Sequence, residues 1–332
     1  MDSKFEDGQG GINEFEKLAD KMAQARNALS GVIFGQDQVI RHALTVLAAG
    51  GHGLLVGAPG LAKTLLVTSI ADVLGHSAKR VQFTPDLMPG DILGSEVLEE
   101  APDGKRLFRF VPGPIFTQML MADEINRASP RTQSALLQAM QEGFVTVAGE
   151  RHDLPKPFHV LATQNPIEQE GTYPLPEAQL DRFLMQIDVP FPDEQAERKM
   201  LAETTTGKTH TNSAVLDPAG LQAVQSMVRT MPIGDNVVTS ILSLVRAARP
   251  GPEASDRVNS LVSWGPGPRA SQALSLTVRA AALIDGRMAP SLEDVISLAT
   301  PVLKHRMALS FAARAEGIEI DDFIQELCQA HI

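Results

Sequence analysis

Cysteine is nearly absent from this chain of 332 residues: Cys328 is the only one. An intrachain disulfide and a cysteine-rich zinc site are therefore both excluded, which suits a reducing compartment. Long apolar runs are missing too. No stretch of about eighteen residues is free of charge and polarity as a membrane span requires, so membrane insertion is not expected. The opening residues, Met1 to Gly10, are polar and acidic, without the apolar segment of a secretory signal. The expected location is the cytoplasm. Basic residues are in deficit, 29 Lys and Arg against 40 Asp and Glu, for a net charge of −11. That balance argues against a dedicated grip on nucleic acid, whose binding scales with the number of cationic contacts to phosphate. It leaves binding of a single nucleotide open.

What is present points to two domains. The length exceeds what one core usually holds, and 43% apolar content is ordinary for a globular chain. Residues 1–12 read as a flexible lead. Phe15, Leu18, Met22, Ala25 and Leu29 then recur at helical spacing, and a second helix is expected from Gln36 to about Ala49. Next comes the alternation of a parallel α/β core, with strands expected at 53–56, 78–83, 118–122, 159–163 and 183–189 and helices at 62–74 and 131–142. Two segments interrupt it. Residues 85–115 carry five prolines and read as an irregular insertion; residues 144–154 read as a β-hairpin turning at Ala148-Gly149. Beyond Pro190 the helical period takes over, with loops at 204–213 and 251–268. The expected organisation is an α/β domain over 13–190 and a smaller all-helical domain over 191–332.

Gly57-Ala58-Pro59-Gly60-Leu61-Ala62-Lys63-Thr64 has P-loop spacing between an apolar strand and the helix that continues through Leu65. Glycines let successive N–H groups face a β-phosphate, and the helix N-terminus adds partial positive charge. Lys63 is then the residue for the β/γ-phosphates and the Thr64 hydroxyl a ligand for Mg²⁺. One position departs from the general pattern: Ala62 stands where a glycine is usual, and helical dihedrals there would suit alanine.

About sixty residues on, the apolar run Met119-Leu120-Met121-Ala122 ends in Asp123-Glu124. A buried strand delivers carboxylates in this way at its C-terminal edge, beside the phosphate loop. Asp123 is the candidate for Mg²⁺, and Glu124 for polarising the attacking water. The next apolar strand ends in Thr163-Gln164-Asn165-Pro166, where Asn165 could orient water or simply make an Asn-Pro turn.

Together with Gly171-Thr172-Tyr173-Pro174-Leu175-Pro176-Glu177-Ala178-Gln179-Leu180-Asp181-Arg182-Phe183, these motifs resemble the MoxR group of AAA+ ATPases, over nearly the whole chain beyond residue 13. Ala62 fits that group. The resemblance implies that ATP and Mg²⁺ are bound and that the fold is a P-loop core with a helical lid. Asn165 is then sensor 1, Arg182 an arginine finger toward a neighbouring subunit, and Arg269 a second sensor, with Ile33, Phe34 and Gly35 against adenine. Each has a plainer alternative: Arg182 as an ion-pair partner near Asp181, Arg269 as the start of a solvated helix, Ile33-Phe34 as core. The resemblance also implies a homo-oligomeric ring, a hexamer, that remodels or activates a client protein alongside a partner with a von Willebrand A-type domain. A DNA-stimulated motor and a nucleotide-gated scaffold with little turnover are the alternatives. The 144–154 hairpin carries Arg151 and His152 beside Glu150 and Asp153, so its charge nearly cancels and nucleic acid is not expected as a partner.

Overall fold

Helix α1 (Gly8–Ser30) and helix α2 (Asp37–Ala48) bring their apolar stripes together ahead of the first strand, β1 (Gly53–Val56). The computed structural model describes residues 8–100, 106–168, 171–204 and 213–332. The P-loop follows β1 and opens α3 (Lys63–Val73), which leads to β2 (Ala78–Gln82). Helix α4 (Pro89–Leu93) and the antiparallel pair β3 (Gly94–Glu100) and β4 (Arg106–Pro112) come next, then β5 (Met119–Asp123) and α5 (Pro130–Glu142). The hairpin β6 (Phe144–Val147) and β7 (Glu150–Asp153) leads to β8 (His159–Gln164), α6 (Glu177–Leu180) and β9 (Met185–Asp188).

The remaining chain is largely helical: α7 (Glu194–Thr204), α8 (Pro218–Thr230), α9 (Asp235–Ala247), α10 (Asp256–Leu261), then β10 (Val262–Trp264), α11 (Pro268–Ile284) and α12 (Leu292–Leu303). It ends with β11 (Ala308–Leu309), α13 (Phe311–Ala315) and α14 (Ile320–His331).

Strands β2, β5, β8, β1 and β9 form, in that order, a five-stranded parallel sheet. Because side chains alternate across a strand, the sheet feeds two cores. Leu55, Met121, Leu161 and Ile187 pack with α1 to α3 and the later helices, whereas Leu54, Leu120, Ala122 and Ala162 pack against α4, α5 and β6. Parallel pairing also gathers every strand's C-terminal end at one pole of the sheet. Val56 is level with Gln164 on one side and Asp188 on the other. The second pole collects the strand starts, where Leu184 N–H donates to the His52 carbonyl at 2.8 Å.

Four expectations change. The first helix starts at Gly8, so only residues 1–7 of the expected flexible lead lie outside the described residues. The 85–115 insertion is ordered as α4 and a hairpin, with residues 101–105 outside the described residues. Two of its prolines mark element ends: Pro89 occupies the first helical turn, where its missing N–H is not needed, and Pro112 closes β4. Val97, Leu98, Leu107 and Phe108 are all exposed, so neither hairpin face is buried and no clean alternation was written into the sequence. The 251–268 loop contains α10, started by Ser255 accepting a hydrogen bond from Val258 N at 3.3 Å, and β10. Strand β10 pairs with β11, so the C-terminal part is not purely helical. The loop expected at 204–213 falls mainly on residues 205–212, outside the described ones. The 144–154 hairpin forms as expected, with Ala148 and Gly149 at φ 49° and 92°, the positive pair that a two-residue turn of this type needs.

Candidate nucleotide site

The phosphate loop leaves β1 at Gly57, whose N–H donates to the Gln164 carbonyl at 3.2 Å. A Cβ there would lie 2.7 Å from the Val189 carbonyl oxygen, so the close approach of β9 requires glycine. Gly60 takes φ 83°, and Ala62 takes φ 55°, ψ 21°. This overturns the expectation of helical dihedrals at Ala62: it is the left-handed residue that caps α3, and Lys63 is the first helical one. The loop turns sharply here, and an alanine bears the strain that glycine would avoid, roughly 1 kcal/mol. Ala62→Gly is expected to raise the melting temperature by about 2 °C without loss of nucleotide binding. An unchanged or lower value in calorimetry would show that the alanine is not strained.

Lys63 folds along this loop, its ammonium donating to the carbonyls of Gly57 at 2.6 Å and Ala58 at 2.7 Å. Partial burial draws its pKa below the usual lysine value, against the pull of the Asp123 and Glu124 carboxylates. Lysine and acids therefore lie near enough to interact at the C-terminal pole.

Asp123 is buried at the end of β5, with Oδ1 accepting from Thr163 Oγ1 at 2.6 Å and Oδ2 from Arg80 Nε at 3.0 Å. Thr163 Oγ1 in turn accepts from Glu124 N–H at 2.8 Å, so a single hydroxyl orients both acids. Glu124 has φ 55°, a left-handed residue that swings its carboxylate off the strand line. Its Oε2 accepts from Gln82 Nε2 at 2.7 Å and Arg127 Nη1 at 2.9 Å. Asn165, 7% exposed, follows β8, the strand between β1 and β5, and thus lies between the phosphate loop and the acids. Its Oδ1 accepts from Ile167 N–H at 3.1 Å, so it also makes the turn that the Asn-Pro pair allows.

Sequence reasoning missed Arg80, Gln82 and Thr163. The first two are alternate residues of β2, next to β5, and polar side chains two apart near the end of a parallel strand were the available signal. Among the described residues no three His, Cys, Asp or Glu side chains converge on a metal position. Thr64 and Asp123 would therefore offer Mg²⁺ one hydroxyl and one carboxylate, leaving phosphate and water oxygens to complete it. That donor set fits Mg²⁺, which is commonly held through one or two carboxylates plus substrate phosphates.

Beside the loop, Ile33 is buried in the core and Phe34 is half-buried, with the Lys199 ammonium 4.7 Å from its ring centroid. Gly35 has φ 70°, and a Cβ there would come within 2.3 Å of Ala196 Cβ. A cleft of about 290 Å³ opens here between Gly35, Gln36, His42, Asp188 and Lys304. Gln36 reaches the phosphate loop, donating to the Leu61 carbonyl at 3.4 Å.

Arg182 and Arg269 lie elsewhere. They share a separate cleft of about 230 Å³ with Gly51, His52, Asp181 and Arg306, at the pole where β1 and β9 begin. Four strand residues, about 13 Å at the usual rise, separate this end of β1 from Gly57. Asp181 pairs with Arg306 at 2.7 Å and with Arg269 at 3.5 Å. Arg182 is not its partner: the Arg182 Nε is buried without a hydrogen-bond partner among the described residues.

Comparison with known proteins bears on the family and the fold. The family model described as "ATPase family associated with various cellular activities (AAA)" matches residues 52–185, and that of the "AAA lid domain" matches 254–327. "Chaperone MoxR1" of Mycobacterium tuberculosis is 40% identical over 299 residues, 90% of this chain and 78% of that protein. "Protein MoxR" of Paracoccus denitrificans is 33% identical, with 87% and 89% covered. A crystal structure from Cytophaga hutchinsonii superposes with a TM-score of 0.88 at 34% identity, covering 96% of both chains.

Proposed function

The chain belongs to the MoxR family of AAA ATPases, and from that premise we propose that it hydrolyses ATP in a hexameric ring whose sites are completed by the neighbouring subunit, and that the cycle remodels or activates a client protein. The loop amides of Gly57 to Thr64 bind the β-phosphate, and Lys63 turns from its own loop carbonyls toward the β/γ-phosphates. Thr64 and Asp123 would hold Mg²⁺, which when bound offsets charge on those phosphates. Both donors to Glu124 converge on Oε2, which leaves Oε1 to take a proton from the attacking water, while the Asn165 amide orients that water. Phosphoryl transfer asks little more of a protein than positioning and charge stabilisation.

What supports the shared site is the opposition of the two poles. Arg182 and Arg269 share a cleft at the strand starts, whereas the phosphate loop and the acids sit at the strand ends. A phosphate bound on one chain's loop is out of reach of that chain's own Arg182. A second copy is the simplest source of the missing guanidinium, because a head-to-tail contact repeated around a closed axis makes a ring.

The reading is tested by measuring turnover per protomer against protein concentration, alongside mass by light scattering. Specific activity is expected to collapse on dilution in step with the loss of oligomer. A strictly monomeric protein with full turnover would sink the reading. The DNA-motor alternative loses ground on the β6–β7 hairpin: the Arg151 guanidinium stacks 3.9 Å over Phe144 and donates to Asp153 at 2.8 Å, so it is held by its own chain rather than offered to phosphate.

A further inference from the structure

Arg306 is the largest side chain buried in the described residues, at 2% exposure. Burial of a guanidinium costs several kcal/mol unless charge and hydrogen bonds are both met, and here they are. Nε donates to Asp181 Oδ1 at 2.7 Å, Nη2 to the Phe183 carbonyl at 2.6 Å, and Nη1 to the Leu184 carbonyl at 3.1 Å. Nη1 also donates to the Val302 carbonyl of α12 at 2.5 Å. These contacts flank Arg182 on both sides, Asp181 before it and Phe183 and Leu184 after it. The second oxygen of Asp181 faces Arg269. One carboxylate is thus shared by a buried arginine after α12 and a half-exposed arginine on α11, and Arg182 is the next residue along the chain.

The residues before Arg306 extend the connection. His305 Nε2 meets the Phe183 carbonyl at 3.0 Å, and Lys304 pairs with Asp188 and, at 2.9 Å, with Asp321. Asp188 ends β9 at the phosphate-loop pole and lines the cleft beside Gly35. Three consecutive residues therefore touch both ends of β9.

We propose that Arg306 and Asp181 are positioning residues: they form a latch that sets the orientation in which Arg182 and Arg269 are offered to the neighbouring subunit, and tie that orientation to the helices after residue 190. The inference rests on the shared-site reading. Arg182 Nε is buried without a hydrogen-bond partner among the described residues, and the backbone on both sides of Arg182 is held by Arg306 through Asp181, Phe183 and Leu184.

The test uses full-length Asp181→Asn, which keeps size and loses charge, and Arg306→Lys, which keeps charge and loses the fork of donors. Each should lower kcat by about 10²-fold, the scale of a misplacement near 1 Å, with KM for ATP unchanged. The decisive readout is mixed assembly. Mixing with Lys63→Ala, which has an intact Arg182 but a defective loop, should restore turnover, and mixing with Arg182→Ala should not. A merely structural defect would be rescued by neither. Wild-type kcat in folded Asp181→Asn, loss that Lys63→Ala does not rescue, or failure of both variants to fold each overturns the latch. If Arg182→Ala itself keeps full turnover, the shared-site reading falls with it; if Arg182→Ala is slow and Asp181→Asn is not, only the latch falls.

Discussion

Arg182→Ala is expected to cut ATP turnover by about 10³-fold or more, the range supplied by an arginine finger in phosphoryl transfer, and to regain activity when mixed with Lys63→Ala. Each variant alone is expected to turn over slowly at most. In a mixed ring, a loop from an Arg182→Ala protomer can face a guanidinium from a Lys63→Ala protomer, and random assembly makes about one interface in four complete in this way. The expectation follows from the cleft that holds Arg182 and Arg269 with His52 and Asp181, at the end of the sheet away from Gly57. Were the arginine to act within its own chain, mixing would restore nothing. The measurement is steady-state phosphate release across a titration of mixing ratios. A linear dilution curve with no excess over the sum of the parts contradicts the shared site.

Glu124→Gln should leave ATP affinity near wild type and slow hydrolysis by about 10² to 10⁴-fold, the usual worth of a positioned general base. The amide keeps the size and can still accept from Gln82 and Arg127, which donate to Oε2 at 2.7 and 2.9 Å. It cannot take a proton from water. Binding persists because the loop amides, Lys63, Thr64 and Asp123 are untouched. The slowed variant should accumulate as an ATP-loaded oligomer, visible as retained nucleotide after gel filtration. Loss of ATP affinity equal to the loss of rate would assign Glu124 to binding rather than to the water.

Much of this site was legible in the residues alone. The phosphate loop is one contiguous run whose glycines and lysine are diagnostic between a strand and a helix, and Asp123-Glu124 announces itself as acids ending an apolar run. Local chain geometry does the work there, so spacing suffices. Ala62 misled because its identity suggests helix, whereas the turn into the helix places a left-handed residue there. The β3–β4 hairpin was illegible for another reason: with both faces exposed it carries no alternation to read. Arg80 and Gln82 offered only the weak signal of alternate polar residues on one strand, and Thr163 none, because each acts through a strand adjacent in space, forty or so positions away.

A loop of phosphate-binding spacing, a following acid pair and a predominantly helical C-terminal part could all be read from the residues, since each is written a few positions apart and needs only the local geometry of strand, turn and helix. Which groups share a pole depends on how the strands are ordered in space. Parallel strands in the order β2-β5-β8-β1-β9 carry Lys63, Asp123, Glu124 and Asn165 to one end and leave Arg182 and Arg269 at the other. The reason is that a parallel sheet sorts residues by strand end rather than by distance along the chain.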